Sequence, residues 1–310
     1  MAKARIVFMG SPDFALPTLQ SLANHYPVVG VVTQPDRPSG RGRKLASPPV
    51  KTLAIELGIP VLQPERLRSD QHAKEQIQAW KPDVIVVVAF GQILKSDILH
   101  FPPFGCLNVH ASLLPRWRGV SPIQAAIRHG DSETGVTIML MDEGIDTGPI
   151  LAQRAIPITS QDTGGSLSEK LAQLGAELLL DTLPDYLDGA ISPKPQGESP
   201  TPYLSMLKKS DGELDFNQPA EYLERLVRAY HPWPGTFTWW RSAPLKVLAA
   251  HPLKAPSPGV GVQTTAEEKP AIGTSDGLLV LDQVQPAGRS PMPGETFLRG
   301  ARDWGKPALA

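Results

Sequence analysis

Asn108 and His110 are the residues whose types and spacing first suggest chemistry, within Gly105-Cys-Leu-Asn-Val-His-Ala-Ser-Leu-Leu-Pro115. In an extended strand residues two apart share a face, so the amide and the imidazole project together. Such a pair suits acyl transfer, the amide hydrogen-bonding an oxyanion as it forms and the imidazole stabilising it or moving a proton. The plain alternative is two polar residues that end a strand. A second polar group follows in Met141-Asp-Glu-Gly-Ile-Asp-Thr-Gly148. Asp142, Glu143 and Asp146 imitate a calcium loop, but that loop needs Gly at its sixth position and Glu at its twelfth, where this chain has Thr147 and Gln153. Either the segment is a simple turn of Asp and Gly, or one carboxylate reaches His110 and fixes the ring, as an orienting acid does for a base.

The other histidines, His25, His72, His100, His129, His231 and His251, lie in no comparable polar setting and read as structural or surface residues. Cys106 alternates onto the face of Asn108, yet a lone Cys is usually a small buried apolar residue, and it is not proposed as a nucleophile. A third feature is Asp36-Arg-Pro-Ser-Gly-Arg-Gly-Arg-Lys-Leu-Ala-Ser-Pro-Pro-Val-Lys51. It carries Arg37, Arg41, Arg43, Lys44 and Lys51 against the single acid Asp36. Read as a long loop, it is either simply solvated or a grip for phosphates at the mouth of a site.

These residues need a scaffold. As far as about residue 155, short apolar runs alternate with amphipathic stretches, the pattern of a parallel βαβ sheet. The runs are Ile6 to Met9, Val28 to Thr33, Pro60 to Leu62, Val84 to Phe90 and Cys106 to His110. Val84-Ile-Val-Val-Val88 shows no alternation and should be a central strand covered on both faces. Helices are expected from Phe14 to Leu22, from Val50 to Leu57, from Ser121-Pro122 onward, and through Leu167, Leu171, Leu174, Leu178 and Leu183 to about Gly189. The Pro-rich run from Ser192 to Pro202 reads as a stiff, extended linker. Beyond it come a helix near Glu221 to Tyr230 and short strand-like runs at Thr236 to Trp240, Leu245 to Ala250 and Leu278 to Gln285, which suggest a small β-barrel or sandwich. Such a sheet invites a dinucleotide reading, but the turn Gly10-Ser-Pro-Asp-Phe14 has one glycine where the fingerprint needs three. The Gly-Arg-Gly-Arg-Lys44 run likewise fails as a phosphate loop, for its glycine spacing is wrong and no Ser or Thr follows the Lys.

Composition narrows the field. With 310 residues, about two domains with real cores are expected. One Cys excludes a disulfide framework and a multi-Cys zinc site. The longest strongly apolar run is far short of a membrane span. The start, Met-Ala-Lys-Ala-Arg, runs straight into a strand, so an untargeted, cytoplasmic chain is expected, although a mature organellar chain would read the same. The formal charge is −1, and neither half is basic: residues 1–206 hold 18 basic and 20 acidic side chains, and 207–310 hold 12 and 11. That argues against a broadly cationic nucleic-acid binder, yet leaves room for one basic loop.

Taken together the stretches resemble the methionyl-tRNA formyltransferase family. The likeness runs through Phe8-Met-Gly-Ser-Pro-Asp-Phe14, Thr33-Gln-Pro-Asp-Arg-Pro38 with Gly40-Arg-Gly42, and Leu107-Asn-Val-His-Ala-Ser-Leu-Leu-Pro-Arg-Trp-Arg-Gly119. It continues in Glu133-Thr-Gly-Val-Thr-Ile138, Asp146-Thr-Gly148, His231-Pro-Trp-Pro234 and Gln285-Pro-Ala-Gly288. The Asn-x-His-x-Ser-Leu-Leu-Pro string is common to enzymes with a formyl-folate donor, whereas the basic loop and the C-terminal strings point to the tRNA enzyme. The resemblance implies an α/β, Rossmann-like doubly wound sheet (the formyltransferase fold) over 1–190, a Pro-rich linker over 191–206, and an OB-like β-barrel that helps to hold tRNA over 207–310.

The resemblance also implies that N10-formyltetrahydrofolate, as co-substrate, gives its formyl group to the amine of initiator methionyl-tRNA for translation initiation, with no metal. Asn108, His110 and Asp146 fall on the family's catalytic positions. Ser112, Leu113, Leu114 and Pro115 match its folate-site motif, with Val88, Phe90 and Gly91 near the pterin. Arg41 falls in the loop that enters the acceptor stem, with Arg37, Arg43 and Lys44 as neighbours. The chain departs from the family at Met206, where Lys is common and contacts the tRNA 3′ end, and at Phe216, where Trp is usual; Lys208 or Lys209 stands near the lost cation. A monomer with no membrane partner is expected. Two rivals stay open: a folate formyltransferase acting on a nucleotide sugar or on glycinamide ribonucleotide, and a catalytically silent RNA-binding protein on the same scaffold.

Overall fold

The computed structural model describes residues 3–39 and 44–306. Its elements in chain order are β1 (Ile6–Gly10), α1 (Leu16–His25), β2 (Val28–Val32), β3 (Arg37–Ser39), β4 (Lys44–Ala46), α2 (Pro49–Glu56), β5 (Val61–Leu62), α3 (Gln71–Ala79), β6 (Val84–Val88), α4 (Ser96–Leu99), β7 (Cys106–His110), α5 (Pro122–His129), β8 (Glu133–Leu140), β9 (Ile150–Pro157) and α6 (Gly164–Leu187). There follow α7 (Ala220–Ala229), β10 (Thr236–Trp240), β11 (Ala243–Leu253), β12 (Gln263–Ala266), β13 (Lys269–Gly273), β14 (Leu278–Pro286), β15 (Met292–Pro293) and α8 (Gly294–Gly300). By contact the chain groups into two units, one of Met1–Pro122, Thr134–Ile156 and Ser168–Leu204, the other of Ile123–Glu133, Pro157–Leu167 and Ser205–Ala310.

In the first unit the strands run in the order β5-β2-β1-β6-β7-β8-β9. The first five are parallel, and β8 is antiparallel to β7. β1 and β6 are buried at every residue, which is why neither sequence alternates: helices cover both faces of the middle of such a sheet. From β1 the chain first builds toward β2 and β5, then returns to β6 on the other side. Strand order therefore reverses beside β1, and ligands of open α/β sheets bind outside the carboxyl ends of the strands at such a reversal. His110 ends β7 on that edge. The long helix α6 stops at Leu187, where Gly189 takes φ 75° and Ala190 N–H donates to Asp185 O at 2.8 Å, closing the last turn.

Two stretches differ from their sequence reading. The basic run does not stay a loop throughout, because β3 and β4 pair antiparallel through Arg37↔Ala46, Pro38↔Leu45 and Ser39↔Lys44. Three-residue arms are too short to show a period of two. The Pro-rich run is extended as expected, but it is no free spacer. Lys194 bridges Ile150 and Leu204 bridges Gly119, so 192–204 is a strap laid on the first unit. Prolines 193, 195, 200 and 202 carry no N–H; the residues between them make the bonds.

In the second unit an antiparallel half-barrel runs β10-β11-β14-β13-β12, with β15 on β14. The hairpin β10–β11 turns at Arg241-Ser242 (φ 49° and 59°) and β12–β13 at Glu267-Glu268 (φ 51° and 58°), the two-residue geometry that follows strand twist, here made without Gly. The expected turn at Ser275-Asp-Gly277 lies between β13 and β14, where Thr274 N–H donates to Gly277 O. α7 buries Leu223, Leu226 and Val227. Phe297 lies edge-on between Trp240 (4.8 Å between centroids) and Trp304 (5.5 Å).

Candidate active site

Asn108 and His110 alternate on β7 and emerge on one face at its carboxyl end. Asp146 comes from the turn between β8 and β9, with φ 52°, a left-handed conformation uncommon for any residue but glycine. That conformation brings its carboxylate to the pair. Asn108 Nδ2 donates to Asp146 Oδ1 at 3.3 Å, and His110 Nδ1 lies 3.6 Å from the same oxygen. Gly119 N–H donates to the other oxygen, Oδ2, at 2.8 Å. On the far side of the ring, Nε2 stands 3.2 Å from Trp117 O. A carbonyl only accepts, so Nε2 carries the proton there and Nδ1 is the edge left for Asp146. The imidazole is buried, whereas Asn108 and Asp146 are partly open.

The Ser-Leu-Leu-Pro turn is rigid from within. Ser112 is fully buried and its hydroxyl donates to Arg116 O at 2.7 Å. Thr137, opposite His110 on β8, donates to Ser112 O at 2.6 Å and accepts from Leu114 N–H at 3.1 Å. Gln153 Nε2 adds bonds to Leu114 O and Thr137 Oγ1, both 2.9 Å. Leu114 is buried, while Leu113 and Pro115 are partly open. Ser112 thus shapes the turn, and Leu113 and Pro115 are the members with open surface. Val88 and Phe90 have buried side chains, Phe90 within a hydrophobic core cluster. Only Gly91 of that group is exposed, at φ 78°. Because Val87 pairs with Asn108, the 88–91 turn runs beside the site, with Ala89 and Gly91 as its exposed positions. Gln34 Nε2 donates to Phe90 O at 3.0 Å and ties that turn to the end of β2.

In the basic stretch Asp36 accepts from Lys51 at 2.7 Å and from Gln63 at 2.8 Å. The Gln63 bond, then Lys51, holds its carboxyl below the usual carboxylate range. Arg37 is exposed and donates to Gln34 Oε1 at 3.2 Å. Arg41 and Arg43 lie outside the described residues, and Lys44 opens β4. Cys106, on the same face as Asn108, is packed in the core, and burial pushes its thiol up to about 12. Asp142 shapes its own turn, accepting from Gly144 N–H and the Thr147 hydroxyl. Among the described residues no group of three His, Cys, Asp or Glu is placed to hold a metal ion.

A family model described as formyl transferase matches residues 4–183, and the formyl transferase C-terminal domain matches 206–302. Methionyl-tRNA formyltransferase of Roseiflexus sp. (strain RS-1) is 49% identical over 302 residues, covering 96% of this chain and 93% of that protein. The chain belongs to the methionyl-tRNA formyltransferase family. The formyltransferase of Bacillus pumilus (strain SAFR-032) is 50% identical over 303 residues, with 96% and 95% covered. Among solved structures the sugar 3N-formyl transferase WlaRD, in the presence of dTdp and 5-N-Formyl-THF, has a TM-score of 0.67 at 19% identity, covering 94% of this chain and 100% of that one. At that identity the likeness is one of fold.

For a formyltransferase, two parts of this arrangement escape the sequence. Gln196 Nε2 donates to Asp146 O at 3.0 Å, and Arg118 in turn donates to Gln196 Oε1. Gln196 sits in a run that reads as linker, so nothing in its neighbours signals a site. Of the outlying histidines, His251 departs from the sequence reading in its setting alone: it lies 2.8 Å from Asp282 Oδ2 and 2.9 Å from Glu267 Oε2, while its part remains structural. Strand register joins those groups, and a sequence does not display register.

Proposed function

We propose that Asn108, His110 and Asp146 carry out the reaction of the family, transfer of a formyl group to the free amine of methionyl-tRNA, with N10-formyltetrahydrofolate as donor and the initiator tRNA as acceptor. The observation that carries this reading is the convergence of amide, imidazole and carboxylate at the carboxyl end of β7, the edge where such sheets bind ligands. The folate-dependent donor, when bound, supplies an activated formyl group.

An aminoacyl amine has a reference pKa of about 8 or below, so a useful fraction is already neutral at physiological pH and its activation is not the main burden. The burden is the charge that gathers on the formyl oxygen. One Asn108 N–H points at Asp146 Oδ1, and the amide nitrogen has a second N–H to give to that oxygen. His110 is aimed by Trp117 O on one side and by Asp146 on the other. As the amine nitrogen bonds to the formyl carbon and the bond from that carbon to the folate nitrogen breaks, Nδ1 beside Asp146 is the atom that takes the proton the amine gives up and passes it to the departing nitrogen. The backbone of 88–91 and the open side chains of Leu113 and Pro115 suit a flat heterocycle with polar edges, which needs main-chain donors and acceptors and apolar faces. Ser112, Leu114, Val88 and Phe90 support that surface from behind. Arg37, Arg41, Arg43 and Lys44 are assigned to tRNA phosphates.

The deciding assay is formyl transfer from formyl-folate to charged initiator tRNA, with elongator methionyl-tRNA as control. Transfer to both at equal rates would remove the initiator from the reading, and transfer to neither would remove the substrate.

A further inference from the structure

Asp146 depends on its surroundings. A non-glycine residue at positive φ persists only where neighbouring structure holds it, and here the group that holds its main chain comes from the Pro-rich strap. Gln196 donates both Nε2 hydrogens to main-chain carbonyls of the catalytic turn, to Asp146 O at 3.0 Å and to Gly148 O at 2.6 Å. Its Oε1 accepts from Arg118 Nε at 3.1 Å and Nη2 at 2.8 Å. Arg118 is itself buried, and its Nη2 also reaches Gly197 O at 3.0 Å.

The same strap grips the segment that aims the imidazole. Thr201 Oγ1 accepts from Trp117 N–H at 3.0 Å, and Trp117 O is the acceptor on His110 Nε2. Leu204 N–H donates to Arg118 O at 2.9 Å and Val120 N–H to Leu204 O at 3.1 Å. Between them lies Gly119, whose N–H holds Asp146 Oδ2. A Cβ at Gly119 would fall 2.4 Å from Leu204 O, so the strap passes closer than any side chain allows. At the other end Lys194 and Ile150 exchange two main-chain bonds of 2.7 and 2.8 Å. Residues 194–204 therefore join the 117–120 segment to the 146–150 segment, and each of the two supplies a contact that orients the catalytic groups.

We infer that Gln196 is a positioning residue for the formyl transfer, fixing the Asp146 turn so that the carboxylate meets His110 and Asn108. This rests on the assignment of Asp146 to catalysis. The amide chemistry is particular: glutamate could still pair with Arg118 but has no hydrogens for the two carbonyls, and a cationic side chain could serve the carbonyls but not Arg118. Leucine fills a similar volume and does neither.

The test uses the full chain with initiator methionyl-tRNA and formyl-folate. Gln196→Leu and Gln196→Glu should each lower kcat by roughly tenfold to a hundredfold, the scale of misplacing a catalytic group, with KM for both substrates within about twofold and unchanged circular dichroism. Because Gln196 acts through Asp146, adding Gln196→Leu to Asp146→Asn should cost less than about twofold more, since residues acting as one unit are not additive. Parental turnover in either Gln196 variant would overturn the inference, as would a full further loss in the double variant. Parental turnover in Asp146→Asn alone would instead overturn the catalytic assignment beneath it.

Discussion

His110 and His251 both lie beside an aspartate, but one contact is slack and the other is tight. His251 has Asp282 at 2.8 Å on Nδ1 and Glu267 at 2.9 Å on Nε2, and Lys269 closes the group by donating to Asp282 at 2.8 Å with Glu295 at 3.7 Å. Each ring nitrogen is taken, and the imidazole is about a third exposed. Such a cluster ties β11, β13, β14 and the start of α8 together and leaves neither ring nitrogen of His251 for a substrate. His110 is buried, its Nδ1 is 3.6 Å from Asp146, and a half-open amide shares the same oxygen. Saturation makes the His251 cluster a structural tie, whereas the longer His110 contact leaves the freedom that the proposed catalytic role needs.

The comparison can be broken most forcefully at the slack site. Asp146→Asn keeps the shape but removes the charge, and turnover should fall roughly a hundredfold to ten-thousandfold while folate affinity changes little; equal losses in kcat and in formyl-folate binding would contradict an orienting role. Asn108→Ala should cost roughly a hundredfold to a thousandfold in kcat, the usual loss for one oxyanion donor. A rise in KM alone would make Asn108 a binding group. Arg41→Ala is milder: activity on tRNA should fall selectively and the slope of log affinity against log salt should flatten by about one. Unchanged activity on full-length methionyl-tRNA would withdraw the phosphate assignment.

The smallest effect belongs to the tight cluster. Burial alone would lower the His251 pKa, but the bonds and charge of Asp282, then of Glu267, outweigh it and raise it above the ordinary value. A raised pKa stabilises the fold fully below the unfolded value of about 6.5, and that stability disappears as pH climbs through the folded value. His251→Gln should therefore lower unfolding stability, followed through Tm, most between about pH 5 and 6.5 and progressively less above, by no more than about 1 kcal/mol for so exposed a group. Its kcat should match the parent. A loss of turnover in His251→Gln would break the distinction between the two histidines.

What could be read before folding follows from the range of each interaction. Asn108 and His110 were legible because a two-residue period is local, and β6 because a run of five buried aliphatics has one use in such a sheet. Asp146 was legible as one of three acids in a turn, but not its left-handed backbone or the Gly119 N–H waiting for it. Gln196 was invisible. Four prolines in eleven residues describe an extended chain, and composition says nothing about which surface an extended chain follows. His251, Glu267 and Asp282 were likewise separate facts until the pairing of β11 with β14 set His251 opposite Val280.

The packing of Cys106 has a practical consequence. It is the only cysteine in the chain, it sits two residues before Asn108 on the same strand, and burial keeps its sulfur protonated at neutral pH. An alkylating reagent must wait for the sheet to open before it finds a thiolate. The rate of labelling at this one sulfur is then a clock for the opening of the strand that carries Asn108 and His110, already built into the native chain and needing no probe to be added.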